Sequence, residues 1–197
     1  MKNLLLIFLF SFSSLCFSAN CSDIGFDDEC NMAENGSVLA QSRMCDLYYY
    51  GTESVQPNYK KAIFWCEKAA AAGDATSQLT LGIAYYSGHG VKKNFSHAKK
   101  YVSMAAEQGD RGAQSMMGAF YFDGKMSKPN YHLAKMWFEL AAEQGDAVAA
   151  HSLGIMFYEG KGVRQDKSKA KELFGIACDG GVQFSCDNYK LLNERGL

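Results

Sequence analysis

The feature that most constrains the fold of this chain is a repeat of 36 residues. The hexapeptide Ala-Ala-Ala-Ala-Gly-Asp ends at Asp74, and two close copies, both Ala-Ala-Glu-Gln-Gly-Asp, end at Asp110 and Asp146. A period of this length is typical of stacked supersecondary units, each of which buries its apolar face against its neighbours. The glycines of the hexapeptides belong to a longer series with a spacing of 36 or 37 residues: Gly36, Gly73, Gly109, Gly145 and Gly181.

Each repeat predicts a second helix that begins at an Asn or Asp. Such a residue is a good N-cap because its side chain accepts a hydrogen bond from a free backbone N–H group. In the third repeat, apolar residues then follow at i, i+3, i+4, i+7 and i+8 from Ala134 to Ala142, which makes one helical stripe. The glycine of the 36-residue series ends the helix. The predicted caps are Asn58, Asn94, Asn130 and Asp166.

A first helix precedes each second helix. It carries a Leu-Gly or Met-Gly pair followed by an aromatic residue, and we expect its glycine to permit close approach of the partner helix. A single helix pair cannot bury its stripe, so stacked pairs must share a continuous core. The sequence therefore predicts an all-α solenoid. The first-helix glycines are Gly82, Gly118 and Gly154.

The N-terminus predicts a secretory signal peptide. Lys2 is followed by an apolar run over residues 4–17, which is shorter than the roughly 20 residues of a membrane span. Small residues at Ser18 and Ala19 favour cleavage after one or the other. The predicted organisation is a signal peptide at 1–19, an N-terminal cap segment at 20–32, repeats at about 33–72, 73–108, 109–144 and 145–181, and a capping helix at 182–197.

Charge and cysteine usage exclude several functions and indicate a compartment. Lys and Arg number 20 against 21 Asp and Glu, so there is no basic excess for binding nucleic acid. Six cysteines lie outside the signal peptide, and an even number in an exported chain predicts disulfides in an oxidising compartment. There is no Cys-x-x-Cys motif and no pair of histidines at metal-ligand spacing. We therefore expect no metal and no cofactor.

At these repeat positions the chain resembles the Sel-one-like repeat family, relatives of the tetratricopeptide repeat, over about residues 33–197. The turns Gly88-His89-Gly90-Val91 and Gly160-Lys161-Gly162-Val163 carry the family pattern intact. The third repeat departs from it at Lys125-Met126-Ser127, and the first has Cys45 in place of the helix-packing glycine. The resemblance implies a right-handed α/α solenoid of about four helix pairs plus a C-terminal capping helix. It implies recognition of another protein and does not imply a reaction.

The repeat register also predicts how the cysteines pair. Cys178 ends a second helix and Cys186 begins the next first helix, so a short turn between antiparallel helices brings them face to face. Their spacing of eight residues also resembles that of the family's cysteine-rich branch. Cys45 takes the helix-packing glycine position, and Cys66 takes the position of the residue that faces it. The predicted pairs are Cys178–Cys186, Cys45–Cys66 and Cys21–Cys30.

A column of aromatic residues marks the predicted binding face. In tetratricopeptide-like solenoids one face of the first helix lines the concave groove, and aromatic side chains are common anchors for a protein partner. The same column would also suit packing between repeats, so both interpretations remain open here. The residues assigned to the concave face are Tyr49, Leu79, Ile83, Tyr86, Phe122, His151, Ile155 and Tyr158.

Two Ser-x-x-Lys pairs provide an enzymatic alternative. Ser96 with Lys99 and Ser168 with Lys171 have the spacing of a nucleophile and its base in penicillin-recognising enzymes. Both pairs occupy the polar side of a second helix, and the other motifs of those enzymes are missing, so an ordinary solvated face is the favoured interpretation. Some cysteine-rich exported solenoids of this family are described as penicillin-binding proteins or weak β-lactamases.

The function expected from the sequence is binding without catalysis. The short signal peptide and the repeat type indicate a bacterial envelope, most of all the periplasm, with extracellular release as the other destination and no membrane span after cleavage. Repeats of this family occur in immunity proteins that neutralise secreted antibacterial effectors such as phospholipases, and this is the specific expectation here. A scaffold for the envelope or for host interaction is the alternative binding role.

Overall fold

The structure of the chain is a computed structural model that describes residues 27–124 and 128–196. Within these ranges all regular secondary structure is helical. We call α2, α4, α6, α8 and α10 the A helices, and α3, α5, α7 and α9 the B helices. The elements are α1 (Asp27–Glu34), α2 (Val38–Tyr50), α3 (Tyr59–Ala71), α4 (Ala75–Ser87), α5 (Phe95–Glu107), α6 (Arg111–Asp123), α7 (Tyr131–Glu143), α8 (Ala147–Glu159), α9 (Lys167–Asp179) and α10 (Gln183–Glu194).

The B helices begin at the predicted caps. The side-chain oxygen of Asn94 accepts a hydrogen bond from the backbone N–H of His97 at 3.1 Å, and that of Asp166 accepts one from Lys169 at 2.9 Å. Equivalent bonds, from Lys61 at 3.2 Å and from Leu133 at 3.1 Å, begin α3 and α7. Each bond satisfies one of the backbone donors that a helix start leaves unpaired.

The A helices have caps that the sequence analysis did not identify. Asp74, Asp110 and Asp146 each accept a hydrogen bond at 2.7 Å from the backbone N–H three residues later. These aspartates are the last residues of the repeated hexapeptides. The glycine that ends a B helix is thus followed at once by the residue that starts the next A helix, which fixes the turn between them.

Glycines in the A helices allow each pair of helices to pack closely. A Cβ atom placed on Gly118 would lie 2.5 Å from the Phe138 ring, and one on Gly154 would lie 2.6 Å from Phe174. Gly82 faces Val102 in the same way. In the first repeat the same position holds Cys45, which forms a disulfide with Cys66 across α2 and α3, with 4.8 Å between their Cα atoms.

The helix pairs stack so that the A helices lie on the inner side. Each of the first three B helices packs against its own A helix and against the next one, while α2 also contacts α4 and α6 contacts α8. Consecutive B helices make no contact of that extent. At these two junctions the A helices are closer together than the B helices, which places the A helices on the concave side of the stack. Buried residues at the junctions include Tyr48, Trp65, Leu81, Met117, Phe138 and Leu192.

The helix α10 packs against the last B helix, α9. A disulfide joins Cys178 to Cys186 across the turn from α9 to α10, with 4.7 Å between their Cα atoms. Lys190 occupies the position that glycine holds in α4, α6 and α8, and it is exposed. The side of α10 that points away from the stack is exposed and polar. Its residues are Gln183, Lys190 and Glu194.

Two predictions fall on residues beyond the described ranges. The signal peptide at 1–19 and Cys21 both lie outside them. Cys30 is disulfide-bonded, and its pairing with Cys21 stays a prediction. Among the described helices, none combines the length and the apolar character that crossing a bilayer requires.

Candidate functional site

The candidate site is the concave face, which we define by the second, fifth and ninth residues of α4, α6 and α8. All nine side chains are exposed or half-buried. None of them carries a formal charge when histidine is neutral, although charged residues make up 21% of the chain. In α2 and α10, at the two ends, the same positions include one carboxylate each, at Asp46 and Asp187. The nine residues are Thr76, Leu79, Ile83, Gly112, Ser115, Ala119, Val148, His151 and Ile155.

The aromatic column beside this face divides into two kinds of residue. Tyr49 is only 5% exposed, so the expectation that it lines the groove is wrong. The ring of Tyr59 packs on it at 5.3 Å, and its hydroxyl lies 3.3 Å from Nδ1 of His89. Burial raises the pKa of Tyr49 to about 12. The turn between α4 and α5 buries Tyr49 further. Its Gly90 lies close to Tyr59, and its His89 ring stacks on the Tyr59 ring with 4.6 Å between the ring centres.

The fourth repeat covers Phe122 in the same manner. Gly162 lies against Tyr131, and the neighbouring Lys161 places its Nζ atom 5.1 Å from the centre of the Phe122 ring. That ring also packs against Tyr131 at 5.6 Å and against Phe138 at 6.4 Å. Tyr49 and Phe122 thus contribute to packing between repeats.

Tyr86 and Tyr158 line two hollows in the face. The α4–α6 hollow has a volume of about 160 Å³ and is lined by Tyr86, Met116, Ala119, Phe120 and Asp123. The α8–α10 hollow has a volume of about 220 Å³ and is lined by Ile155, Tyr158, Glu159, Phe174, Asn188, Leu191 and Leu192. Each volume is comparable to that of one bulky side chain. The structure therefore brings Ile155 and Tyr158 into one hollow and places Tyr86 in the other.

The fifth position of the A helices ties neighbouring repeats together. Nδ1 of His151 lies 2.6 Å from the hydroxyl of the buried Ser185, which links α8 to α10. Partial burial lowers the pKa of His151 and so favours its neutral form. In other repeats, Ser42 donates to the cap Asp74 at 2.7 Å and Ser115 donates to Asp146 at 3.1 Å. His151 therefore has a structural partner in addition to its place on the concave face.

A ladder of glutamines at the edge of the stack is a second feature that the sequence analysis missed. Nε2 of Gln108 donates to Oε1 of Gln78 at 2.8 Å, and Gln144 donates to Gln114 at the same distance. Gln78 and Gln114 in turn donate to backbone carbonyl groups of the preceding B helices. The signal was present in the Glu-Gln-Gly-Asp segments, but only the structure shows which repeats the amides join.

The lysines of the Ser-x-x-Lys pairs bind groups of the next A helix. Nζ of Lys99 lies 4.8 Å from the centre of the Tyr121 ring, and Nζ of Lys171 donates to Oδ1 of Asn193 at 2.8 Å. Ser96 and Ser168 are exposed on the outer side of the B helices. These lysines therefore contribute to contacts between repeats. In the described ranges, no three residues of the His, Cys, Asp and Glu types are arranged to hold a metal ion.

Comparison with known proteins agrees with this architecture. The Sel1 repeat model matches residues 38–74, 75–110, 112–146 and 147–182. The chain is similar to c5321, a protective antigen of uropathogenic Escherichia coli strains with an SLR fold, at 30% identity and a TM-score of 0.80, over 87% of this chain and 36% of that one. It is also similar to a Sel1 repeat protein from Oxalobacter formigenes, at 29% identity and a TM-score of 0.73, over 83% of this chain and 47% of that one.

A further similarity is to cysteine rich protein B (hcpB) of Helicobacter pylori, at 28% identity and a TM-score of 0.52, over 66% of this chain and 92% of that one. None of the curated proteins matches the sequence. The chain spans about a third to a half of the length of the first two solved relatives. The four matched repeats cover most of the chain and coincide with the four A–B helix pairs. The chain belongs to the Sel1 repeat family.

Proposed function

We propose that this chain is an exported, non-enzymatic solenoid that binds another protein along its concave face. The observation that carries the proposal is the absence of charged side chains from the nine defining positions in α4, α6 and α8. The centre of a protein–protein interface is depleted of charged residues, because each charge would have to be desolvated on binding. The outer side of the B helices, by contrast, carries Lys99, Lys100, Lys169 and Lys171.

The two hollows support the same face. Each is lined mainly by apolar side chains and has room for one side chain of a partner. Anchors that fill such pockets account for most of the affinity at many interfaces. The rigid helical walls also reduce the entropy lost on binding, since little needs to be ordered when a partner arrives.

Export and a periplasmic location are supported by the disulfides and by the N-terminal sequence. The structure holds disulfides in the first repeat and at the C-terminal helix. Disulfides persist in oxidising compartments such as the bacterial periplasm. The basic start and short apolar run of residues 2–19 would direct the chain there.

The partner in this proposal is a secreted antibacterial effector, such as a phospholipase, and the chain is its immunity protein. This specific role follows from the family resemblance. Production of the chain in the periplasm together with such an effector, taken from the same genome, should restore growth. If growth is not restored although the chain still captures an envelope protein, the immunity role is excluded and the scaffold role is favoured.

Capture of a partner from envelope extract tests the binding face. Thr76→Glu with Val148→Glu adds two charges to the concave face, and Ser96→Glu with Ser168→Glu adds the same two charges to the B helices at sites that are also exposed. We expect the concave pair to reduce capture about tenfold or more, the loss typical of a disrupted hot spot, and the B-helix pair to leave capture unchanged. The opposite result would place the partner on the outer face. Thermal melts of both variants check that they remain folded.

A further inference from the structure

At the concave positions of the A helices, three of the four large apolar side chains that are exposed lie at the C-terminal end, and the fourth is Leu39 on α2. Phe184 is 76% exposed, Val148 is 59% exposed and Leu191 is 42% exposed. Ile155 lies next to them and is half-buried. In α4 and α6 the equivalent positions hold smaller or more polar residues, except for one isoleucine. Those residues are Thr76, Ile83, Gly112 and Ala119.

The four apolar residues form two rows on neighbouring A helices. Val148 and Ile155 are seven residues apart on α8, and Phe184 and Leu191 are seven residues apart on α10. Seven residues are two helical turns, or about 10.5 Å. The helices are adjacent, as the contact between His151 and Ser185 shows. One residue of each row, Ile155 and Leu191, lines the α8–α10 hollow. We call the surface between the two rows, with the hollow at its Ile155 and Leu191 end, the α8–α10 groove.

The apolar row on α10 shares helix positions with Val148 and Ile155 of α8. Although α10 packs beside α8, Val148 is 59% exposed and Ile155 stays half-buried, with Leu191 and Leu192 of α10 lining the same hollow. A further repeat packed on α10 would by the same relation leave Phe184 exposed and cover Leu191 only in part.

The charges around the groove are unevenly satisfied. Glu159 pairs with Lys161 at 2.7 Å, and Glu194 pairs with Lys190 at 4.0 Å. Asp187 lies between Phe184 and Leu191 along α10, is exposed, and forms no ion pair with the residues that the structure describes. A complementary partner would therefore present an uncharged stripe to the groove and a basic residue to Asp187.

We propose that the α8–α10 groove binds an amphipathic α-helix of a protein partner, with apolar side chains seven residues apart, one of them in the hollow, and a Lys or Arg beside Asp187. This rests on the proposed function. A helix matches the spacing of the rows, whereas same-face residues of an extended strand stand only about 6.6 Å apart. Laying an apolar helical face into a groove is a common mode of peptide recognition.

The experiment uses a displayed library of peptides about 18 residues long, a length that can form a stable helix. The library is built on Ala, Glu and Lys, with apolar residues varied along one face, and is selected against the chain with its disulfides intact. The strongest binder is then synthesised with a fluorescent label. Its affinity is measured by anisotropy for the wild type and for each variant, and its helicity is measured by circular dichroism.

Three exposed residues at the second position of A helices give a matched set of variants. We expect Val148→Glu and Phe184→Glu each to weaken binding about tenfold or more, as for hot-spot residues, and Leu39→Glu, 62% exposed on α2, to change it less than about twofold. Asp187→Lys should weaken binding of a peptide with a basic flank. The peptide should gain helicity when bound. All four substitutions are at exposed sites, so the melting temperatures of the variants should equal that of the wild type.

The outcomes separate this inference from the proposed function. If Val148→Glu and Phe184→Glu bind as the wild type does while Thr76→Glu binds weakly, the groove is excluded and binding on the concave face stands. If none of Val148→Glu, Phe184→Glu and Thr76→Glu weakens binding, both the groove and binding on the concave face are excluded. Selected peptides that bind in an extended form, or a library that yields no binder, overturn the helix-in-groove inference.

Discussion

The close packing of α6 against α7 gives a prediction that can be worked through in detail. Gly118 of α6 faces Phe138 of α7, and a Cβ atom added there would lie 2.5, 2.6 and 2.9 Å from three atoms of the ring. Ordinary carbon contacts are about 3.5–4.0 Å, so the two helices would have to move apart by roughly 1 Å. Phe138 is buried and cannot turn aside into solvent.

Two opposing effects set the size of the change in Gly118→Ala. Replacing glycine by alanine inside a helix contributes about 1 kcal/mol of stability. Overpacking a well-filled core costs about 1–3 kcal/mol, and this site is at the upper end because ring atoms stand in the way. We expect a net loss of about 1–2 kcal/mol in the free energy of unfolding. For a chain of this size that lowers the melting temperature by about 3–6 °C.

Gly112→Ala provides the control on the same helix. Its added Cβ would lie 3.2 Å from Cδ2 of Leu79, the far end of a flexible side chain, so the helix propensity gain should dominate and the melting temperature should rise. A double variant that adds Phe138→Leu to Gly118→Ala should cost less than the sum of the single changes. Urea unfolding with linear extrapolation measures the wild type, the three single variants and the double variant. The packing argument is refuted if Gly118→Ala stabilises the chain as Gly112→Ala does.

Five further outcomes follow from the structure. Phe138→Ala should cost about 3–5 kcal/mol because it empties a buried site, and loss of the Asn130 cap to Ala should cost about 1 kcal/mol, as urea unfolding will show. Replacing Cys45 and Cys66 together by Ala should cost about 2–4 kcal/mol in the same assay, and a variant as stable as the wild type would contradict it. Burial lowers the pKa of His151 in the folded chain, so the neutral side chain contributes to the free energy of unfolding in full above about pH 6.5. This contribution is lost as the pH falls below that value. His151→Gln should therefore make the melting temperature less dependent on pH in this range. A chromogenic β-lactam should remain intact with the purified chain, and turnover would support the enzymatic alternative.

The helices could be predicted from the sequence because their signals are local. The cap at Asn130 and the stripe from Ala134 to Ala142 lie within one helix, and their spacing alone defines it. The disulfide between Cys45 and Cys66 could be predicted because both residues take repeat positions that face each other in every pair. When a pattern recurs at the same position of every repeat, contacts between helices can be predicted from local sequence.

The features that were missed depend on how one repeat meets the next. Tyr49 has the same helix position as Tyr86 and Tyr158, yet it is buried, because His89 of the following turn covers it. No residue near Tyr49 in the sequence indicates that His89 will pack against it. The two hollows likewise arise where residues of neighbouring A helices come together. The helix positions that make up the candidate face could be predicted from the sequence, but which of them border an open hollow could not.

The polar end face of α10 has a consequence for assembly in solution. A stack of similar units is self-complementary, since the leading surface of one chain could accept the trailing surface of another, and such head-to-tail contacts form open filaments when they do not close into a ring. Exposed Gln183, Lys190 and Glu194 would all lose water in that contact without matching partners. The α10 helix thereby disfavours head-to-tail polymerisation while leaving the concave surface accessible.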